Sequence, residues 1–270
     1  YIFKDQSLVQ THQVKINMDI VILGTGNTAT ILSKKLKDAG HNIKMVWGRD
    51  LSAAIELSAF LNTKSTDKLV DIPKNADIYI IAVSDTAIEE VANNLNFPDK
   101  IIVHTAASVS KDVLQYCSKY YGVFYPLQTL KKETAHLPDI PIIIDANNDD
   151  SLNSLEQLAY SISDLVVKAD DNQRLKLHMA AVFCNNFTNH IYALMEDYCN
   201  NERLDFNLLK PLIIETANRL TVLTASSAQT GPGVRNDTET INKHLTLLNE
   251  YPNLRELYIA LTASIQKFYS

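Results

Sequence analysis

Three polar side chains share one face of a long apolar segment in the C-terminal part of the chain. Asn185 follows His178 by seven residues, and Asn189 follows it by eleven. On a helix that turns by about 100° per residue, these positions form one narrow stripe. An imidazolium can donate a proton near neutral pH, and an amide can hold a developing negative charge or a carboxylate. The stripe therefore predicts reduction of a carbonyl or imine, with His178 as proton donor and Asn185 orienting the substrate.

The same side chains also admit a purely structural interpretation. His178 and Asn185 could satisfy each other, or bridge neighbouring helices, because buried polar groups need partners. A second candidate is the segment 229–237, in which Gly-Pro-Gly predicts a sharp interhelical turn. Arg235 beside this turn could clamp a substrate carboxylate, meet another subunit or be a surface charge. We assign Arg235 and Asn189 to substrate binding.

A glycine turn near the start of the chain predicts where a nucleotide binds. The apolar run Ile20–Leu23 leads into Gly24-x-Gly26-x-x-Ala29, and a helical pattern continues to Gly40. In a strand–turn–helix unit the first glycine permits the tight turn, and the second lets a pyrophosphate approach the backbone. The helix N-terminus then offers free N–H groups to the anion. A glycine turn of some other α/β unit is the alternative. The residues predicted to bind the dinucleotide here are Gly24, Thr25, Gly26, Asn27 and Thr28.

The end of the second strand indicates which dinucleotide binds. The strand Ile43–Trp47 is followed by Gly48 and Arg49, with no carboxylate at its tip. An NAD site usually has an acidic residue there for the ribose 2′-hydroxyl, whereas a guanidinium can pair bidentately with a 2′-phosphate. We therefore predict NADP as the cofactor, with a solvated surface charge as the alternative for Arg49. Asp50 is expected to cap the next helix, Ser52–Leu61.

The first half of the chain alternates strand and helix patterns. This alternation predicts an α/β fold with a doubly wound, mostly parallel sheet of the Rossmann type. Further strands are expected at Asp77–Val83, Ile101–His104, Gly122–Tyr125, Pro141–Ile144 and Leu165–Val167, and helices at Ile88–Leu95, Ser110–Cys117 and Leu152–Leu158. Ligands of such sheets lie beyond the carboxyl ends of the strands. That rule adds five residues to the predicted cofactor site: Val83, Ser84, Asp85, His104 and Thr105.

From about Asp170 onward the strand patterns disappear, which predicts an all-α C-terminal domain. Its expected helices are Gln173–Asn200, Leu208–Ala225, Glu239–Asn249 and Leu254–Phe268, the third capped by Asn236 or Asp237. The first is apolar on several faces, as is typical of a helix buried on more than one side. A subunit interface would bury it, so we expect a homodimer. The chain thus divides into an N-terminal extension (1–17), an NADP-binding domain (18–168) and a helical substrate and dimerisation domain (169–270).

Composition limits the class of function. The 270 residues are 46% hydrophobic and 21% charged, an ordinary globular balance. The net charge of −6 disfavours a nucleic-acid surface, and no apolar run approaches the length of a membrane span. Cys117, Cys184 and Cys199 form no CxxC pair, so we predict neither a metal site nor a disulfide framework. Reduced thiols favour a cytoplasmic location.

Several segments together resemble a bacterial family that joins a Rossmann-like NADP-binding domain to an uncharacterised C-terminal helical domain. The matching segments are 24–29, 82–85, 103–105, 125–129, 178–181 with Asn185, and 231–237 with His244. That family in turn resembles pyrroline-5-carboxylate reductase, deazaflavin-dependent NADP reductase and the β-hydroxyacid dehydrogenases. The resemblance implies an NADP-binding oxidoreductase that dimerises through a C-terminal domain like that of 6-phosphogluconate dehydrogenase. The chain departs from the β-hydroxyacid dehydrogenases, which carry a catalytic lysine on their long helix four residues before an asparagine. Here Ala181 and Val182 stand four residues before Asn185 and Asn186, so His178 would have to replace that lysine.

These observations predict an NADPH-dependent reductase of a small, carboxylate-bearing 2-oxo acid or imine. The alternative is a non-catalytic protein that retains the Rossmann domain as a nucleotide sensor or scaffold. Both interpretations require dinucleotide binding, and they differ in whether His178 and Asn185 act on a substrate.

Overall fold

The computed structural model describes residues 17–133 and 137–270. The predicted N-terminal extension lies outside the described residues, apart from Asn17. The chain forms two compact units, which meet in the sequence between Asn185 and Asn186. This division falls later than the predicted domain boundary at 168, because the first helix after that boundary belongs to the first unit.

An eight-stranded sheet forms the centre of the first unit. Its strands are β1 (Asp19–Leu23), β2 (Asn42–Trp47), β3 (Lys64–Thr66), β4 (Ile78–Ile81), β5 (Ile101–His104), β6 (Tyr120–Pro126), β7 (Ile142–Ala146) and β8 (Val166–Lys168). They lie in the order β3-β2-β1-β4-β5-β6-β7-β8, and every pair is parallel except the antiparallel β6–β7. The chain reverses its direction of travel across the sheet between β1 and β4, which is where such folds bind ligands. The predicted doubly wound, mostly parallel sheet is confirmed.

Among the described residues of the first unit, five α-helices accompany this sheet. They are α1 (Asn27–Asp38), α2 (Leu51–Leu61), α3 (Ile88–Asn93), α4 (Asp149–Tyr160) and α5 (Asp171–Ala181). Short 3₁₀ turns lie at Leu69–Asp71, Asp85–Ala87 and Lys111–Leu114. The helix predicted over Ser110–Cys117 is therefore wrong in type and length, since one 3₁₀ turn suffices to bury Leu114 and Cys117.

Residues of β1 show how the sheet separates two hydrophobic cores. Ile20 and Ile22 pack into the cluster on one face, whereas Val21 and Leu23 pack into the cluster on the other. Successive side chains of a strand point to opposite faces, so a strand covered on both sides is apolar throughout. Burial on both faces explains why β1 is a continuous apolar run. It also fixes the position of the glycine turn that follows β1.

The long helix predicted over Gln173–Asn200 is interrupted. A π-helical segment, Val182–Phe187, separates α5 from α6 (Thr188–Asn201). A π segment has more residues per turn than an α-helix, so side chains on either side of it do not keep the 100° spacing. The prediction of one straight polar stripe through His178, Asn185 and Asn189 is therefore wrong as a statement about a regular α-helix.

The remainder of the second unit is helical, as predicted. Its helices are α6, α7 (Lys210–Arg219), α8 (Ala225–Ala228), α9 (Thr238–Leu247) and α10 (Pro252–Tyr269), with 3₁₀ turns at Phe206–Leu209 and Leu248–Glu250. The single helix predicted over Leu208–Ala225 is divided, because α7 ends at Arg219 and Thr224 caps α8. Asp237 caps α9 by accepting a hydrogen bond from the Thr240 N–H at 3.0 Å.

Many large apolar side chains of the second unit are exposed in the single chain. They include Leu204, Leu208, Leu212, Ile214, Leu220, Val222, Leu223, Leu247, Ile259, Leu261 and Phe268. The segment predicted as one helix over Gln173–Asn200 also exposes apolar side chains in the single chain, among them Met179, Phe183 and Phe187, and the subunit interface expected to bury it stays a prediction. None of the described helices combines the length and the apolar character needed to cross a bilayer.

Candidate functional site

A cleft of about 420 Å³ lies at the carboxyl ends of β1, β2 and β4. It sits at the point where the chain reverses its direction across the sheet, so it has the position expected for a ligand site. The residues that line it are Gly24, Thr25, Gly26, Asn27, Thr28, Trp47, Gly48, Arg49, Asp50, Ala82, Val83 and Ser84. The structure thus brings together the predicted glycine turn, the predicted arginine and part of the loop after β4.

The two glycines of the turn have different physical roles. Gly24 has a φ of +139°, and a Cβ there would lie 2.1 Å from the carbonyl oxygen of Ala82. Gly24 is therefore required for β4 to pass close to the turn. A Cβ on Gly26 would meet nothing within 4 Å, so this position is open towards the cleft.

The first turn of α1 is free to receive an anion. Gly26 is its N-cap and supplies no side-chain hydrogen bond, and the first turn holds no acidic residue. The N–H groups that usually donate to a capping side chain are thus left for a ligand, and the helix dipole favours negative charge. These features fit the diphosphate of a dinucleotide.

Arg49 lies at the open side of the cleft, directly after β2. Its neighbour Asp50 is occupied elsewhere, because the Asp50 carboxylate accepts from the N–H groups of Ser52 and Ala53 at 2.9 and 3.3 Å and caps α2. The expected cap is therefore confirmed. Arg49 is exposed, and its position fits a phosphate on the adenosine ribose.

The loops that follow β4 and β5 are joined by a hydrogen bond. The hydroxyl of Ser108 donates to the carboxylate of Asp85 at 2.7 Å. Both residues are exposed, so this pair faces solvent at the carboxyl edge of the sheet. The pair ties together the loops that carry the predicted cofactor residues Ser84 and Thr105.

His104 lies beneath the loop after β5 and is fully buried. Its Nδ1 accepts from the Ala106 N–H at 3.2 Å, so Nε2 carries the proton and donates to the Ser110 carbonyl at 3.3 Å. Burial, assisted by the charge of Arg174, lowers the pKa of His104 to about 4. The neutral imidazole therefore supports the loop from inside, and a contact between His104 and the cofactor remains a prediction.

Arg174 anchors α5 to the same loop. Its guanidinium is fully buried and donates to the carbonyls of Ala107 and Val109, at 3.1 and 2.6 Å, and to the carboxylate of Asp171 at 2.7 Å. Burial opposes ionisation of Asp171, but hydrogen bonds from Ser110 and Arg174 outweigh it and lower the pKa of Asp171. An ion pair thus holds α5 in a fixed place relative to the loop.

Two of the predicted chemical residues reach β6 and the loop that follows it. His178, one turn beyond Arg174 on α5, has its Nδ1 3.2 Å from the hydroxyl of Tyr125, near the end of β6. The amide of Asn185 donates to the hydroxyl of Thr129. The structure therefore brings His178 and Asn185 to one neighbourhood, each through a polar partner on β6 or its loop.

Burial raises the pKa of Tyr125, and the negative charge of Asp85 adds to this effect. The nearby charge of Arg174 acts in the opposite sense but does not cancel it. The phenol therefore stays protonated across the physiological range, and Tyr125 can act as a hydrogen-bond and proton donor.

The remaining predicted site residues belong to the second unit. Asn189 lies in α6, and Arg235 lies in the turn between α8 and α9, where Gly231 has a φ of +111°. Both side chains are exposed, so their substrate-binding roles remain predictions. His244, which carries no predicted role, bonds through Nδ1 to the hydroxyl of Tyr258 at 2.8 Å.

Sequence reasoning missed the function of Arg174 and included Tyr125 only within the segment 125–129 that resembles the family. A charged residue on a helix is usually solvated, so nothing marks Arg174 as buried. The spacing of four residues between Arg174 and His178 was the available signal, because it places both side chains on one face of α5.

The fold and the cleft define a dinucleotide-binding protein of the Rossmann class. Residues 19–108 match the family described as NADP oxidoreductase, coenzyme F420-dependent, and residues 140–265 match a domain of unknown function, DUF2520. A Bacteroides fragilis protein named "putative NADP oxidoreductase" is 36% identical, with a TM-score of 0.85 over 93% of this chain and 98% of that one. The chain belongs to this family of NADP oxidoreductases.

More distant relatives share parts of the architecture. A 1-pyrroline-5-carboxylate reductase from Streptococcus pyogenes has the same fold, with a TM-score of 0.64 and 14% identity over 93% of this chain and 99% of that one. Glycerol-3-phosphate dehydrogenase [NAD(P)+] of Staphylococcus aureus is 27% identical over 116 residues, which cover 37% of this chain. The chain spans about a third (35%) of the length of these curated relatives. At the level of the family, the predicted NADP oxidoreductase is confirmed.

Proposed function

We propose that this protein is an NADPH-dependent reductase of a small carbonyl or imine compound. The observation that carries the proposal is the position of His178 and Asn185 beside β6, at the sheet edge that also holds the glycine turn. Strands β1 and β6 are separated by two others, so their ends are about 14 Å apart at 4.8 Å per strand. An extended dinucleotide whose diphosphate rests on α1 can direct its other end towards β6.

The residues that would hold the cofactor follow from the cleft. The N-terminus of α1 and the open position at Gly26 suit a diphosphate, and Arg49 suits a 2′-phosphate. Ser84, Asp85 and the loop after β5 lie next along the sheet edge. A bound NADPH supplies hydride to the substrate carbon.

The chain itself supplies the proton and the orientation. Negative charge that develops on the substrate heteroatom is neutralised by a proton that originates at His178. Asn185, fixed by its bond to Thr129, presents a polar group that orients the substrate. Removal of either side chain should lower turnover and leave NADPH affinity nearly unchanged.

We propose a carboxylate-bearing substrate, either a 2-oxo acid or an imine. Arg235 and Asn189 are the groups proposed to bind its carboxylate. The name of the Streptococcus pyogenes relative supports this class, because 1-pyrroline-5-carboxylate is a cyclic imine that bears a carboxylate. The exposed apolar side chains of the second unit support a homodimer that covers them.

The experiment is a fluorescence titration with NADPH and NADH, followed by NADPH oxidation assays on a panel of 2-oxo acids and cyclic imines. We expect binding, a preference for NADPH and turnover of at least one compound. The variants His178→Ala and Asn185→Ala should bind NADPH and turn over more slowly. Tight binding without turnover on any panel compound would instead favour a nucleotide sensor or scaffold.

A further inference from the structure

We propose that the hydroxyl of Tyr125 is the group that delivers the proton to the substrate heteroatom, and that His178 positions and reprotonates it. This inference rests on the proposed reductase function and deepens it. It adds a catalytic residue from β6, an element to which the sequence assigned no chemistry.

The geometry of the pair is the first support. The Tyr125 hydroxyl lies 3.2 Å from Nδ1 of His178, and the two rings meet edge to face at 6.2 Å between centroids. His178 is partly buried, and one of its nitrogens is directed at the phenol. A proton that leaves His178 through Nδ1 therefore reaches Tyr125 first.

The position of Tyr125 in the sheet is the second support. β6 pairs in parallel with β5, with His104 opposite Val123, so Tyr125 extends beyond the end of β5 at the carboxyl edge. Phe124 beside it is fully buried, which fixes the backbone from which the Tyr125 side chain projects. Tyr125 is partly exposed as a residue, so a small molecule at this edge can approach it.

The charges that face Tyr125 keep it a donor. Asp85 approaches from the loop after β4, and Arg174 and His178 approach from α5. The Arg174 charge is already paired with Asp171, whereas Asp85 bonds only a neutral hydroxyl, that of Ser108, among its described contacts. Burial first, and then the negative charge of Asp85, disfavour a phenolate and raise the pKa of Tyr125, so the hydroxyl proton is retained until a stronger base develops on the substrate.

In the proposed step, the hydride and the proton reach the substrate from different groups. The substrate carbon gains hydride from NADPH, the π pair of the C=O or C=N bond moves to the heteroatom, and the heteroatom takes the Tyr125 proton. The phenolate oxygen then takes a proton from Nδ1 of His178, and a solvent proton replaces it, so the overall reaction consumes one H+. NADPH is oxidised by two electrons, and the substrate is reduced by two.

The test uses the full chain with NADPH and two probes, pyruvate as a 2-oxo acid and 2-methylpyrroline as a cyclic imine, besides any panel compound that is turned over. Tyr125→Phe removes only the hydroxyl. Tyr121→Phe is its matched control, because Tyr121 lies on the same strand and donates its hydroxyl to Asp112 at 3.3 Å, away from His178. His178→Asn keeps an N–H near the Nδ1 position but cannot return a proton.

We expect Tyr125→Phe to lower kcat by about a hundredfold or more, within the range of general-acid catalysis, with the NADPH Kd unchanged within about twofold. Tyr121→Phe should match the wild type. His178→Asn should lower kcat by less than Tyr125→Phe does, with KM and the NADPH Kd unchanged within about twofold. A merely structural role for Tyr125 would instead change NADPH affinity and thermal stability together with kcat.

Activity of Tyr125→Phe within about threefold of Tyr121→Phe would overturn the donor role and leave the proposed reductase intact. NADPH binding without wild-type turnover of any compound would overturn both. If Tyr125→Phe fails to fold, fluorotyrosine incorporated at position 125 provides the second measurement. The more acidic phenol should move the alkaline limb of the kcat profile to lower pH, and an unmoved limb would reject Tyr125 as donor.

Discussion

The residues at this sheet edge are of two kinds. Some can contact a ligand, and others hold the loop after β5 in place. Arg49, Tyr125 and Asn185 are at least partly exposed, whereas His104 and Arg174 are fully buried. The buried pair makes all its hydrogen bonds to the loop after β5 or to Asp171. Substitutions of the exposed residues should therefore change ligand binding or turnover, whereas substitutions of the buried pair should lower the free energy of unfolding.

Arg49 should decide between the two nicotinamide coenzymes. Arg49→Ala should weaken NADPH binding by about 1.5–3 kcal/mol, the value of a hydrogen bond to a charged group, and should leave NADH binding nearly unchanged. Fluorescence titration of both coenzymes measures the difference. Lys119→Ala is a suitable control, because Lys119 is an exposed cation at the opposite edge of the sheet. Equal losses for both coenzymes would contradict the assignment of Arg49 to the 2′-phosphate.

The polar residues of the site were only partly predictable. The glycine turn and Arg49 were found because their roles depend on local sequence around one strand and one turn. The partnership of Tyr125 with His178 depends on where β6 pairs in the sheet, and the sequence separation of 53 residues hides it. Arg174 was missed for a similar reason, since its acceptors lie on a loop about 65 residues earlier.

At the scale of elements, the two glycines in the turn between β1 and α1 should have different effects, Gly24 on stability and Gly26 on dinucleotide binding. Gly24→Ala places a methyl group against the Ala82 carbonyl at a strongly positive φ, so it should destabilise the fold. Gly26→Ala meets no protein atom and should fold normally, but its methyl group would occupy the space through which a diphosphate approaches. Thermal unfolding and NADPH titration of both variants test this contrast. A Gly26→Ala protein that binds NADPH normally would contradict the assigned position of the diphosphate.

Helix α5 depends on the buried ion pair for its place. Arg174→Met should lower the free energy of unfolding by about 3 kcal/mol or more, because it leaves Asp171 and two carbonyls without their donor. Arg219→Met removes an exposed pair with Glu215 and should cost no more than about 0.5 kcal/mol. Urea unfolding of the two variants gives both values. Similar small losses would mean that α5 is held by other contacts.

Most elements of the sheet were predictable because strand runs and helical patterns alternate clearly along the first half of the chain. β3 was missed, since Lys64–Thr66 is short and polar and exists only because β2 lies beside it. The π segment was also missed, because apolar residues continue through Val182–Phe187 and a 3.6-residue period cannot show an inserted position. Pairing with β2 makes Lys64–Thr66 a strand, and the local hydrogen-bond pattern makes Val182–Phe187 a π-helix.

At the scale of the whole molecule, His104 should link stability to pH. Its folded pKa of about 4 lies below the unfolded value near 6.5, so the unfolded chain binds a proton that the folded protein excludes. The contribution of His104 to the free energy of unfolding is therefore fully present above about pH 6.5. It falls by about 3 kcal/mol as pH drops towards 4. Chemical unfolding across this range measures the slope. The variant His104→Asn should lose this part of the slope, and an unchanged slope would exclude His104 as its source.

The order of strands has a consequence for how this enzyme family can diversify. Arg49 follows β2 and Tyr125 lies near the end of β6, with β1, β4 and β5 between them, so roughly 19 Å of sheet separates the two. The free-energy changes caused by substitutions at two sites so far apart are usually additive. In the proposed assignment, Arg49 binds the adenosine 2′-phosphate and Tyr125 donates the proton, so evolution or a protein engineer can change coenzyme preference without rebuilding the proton donor.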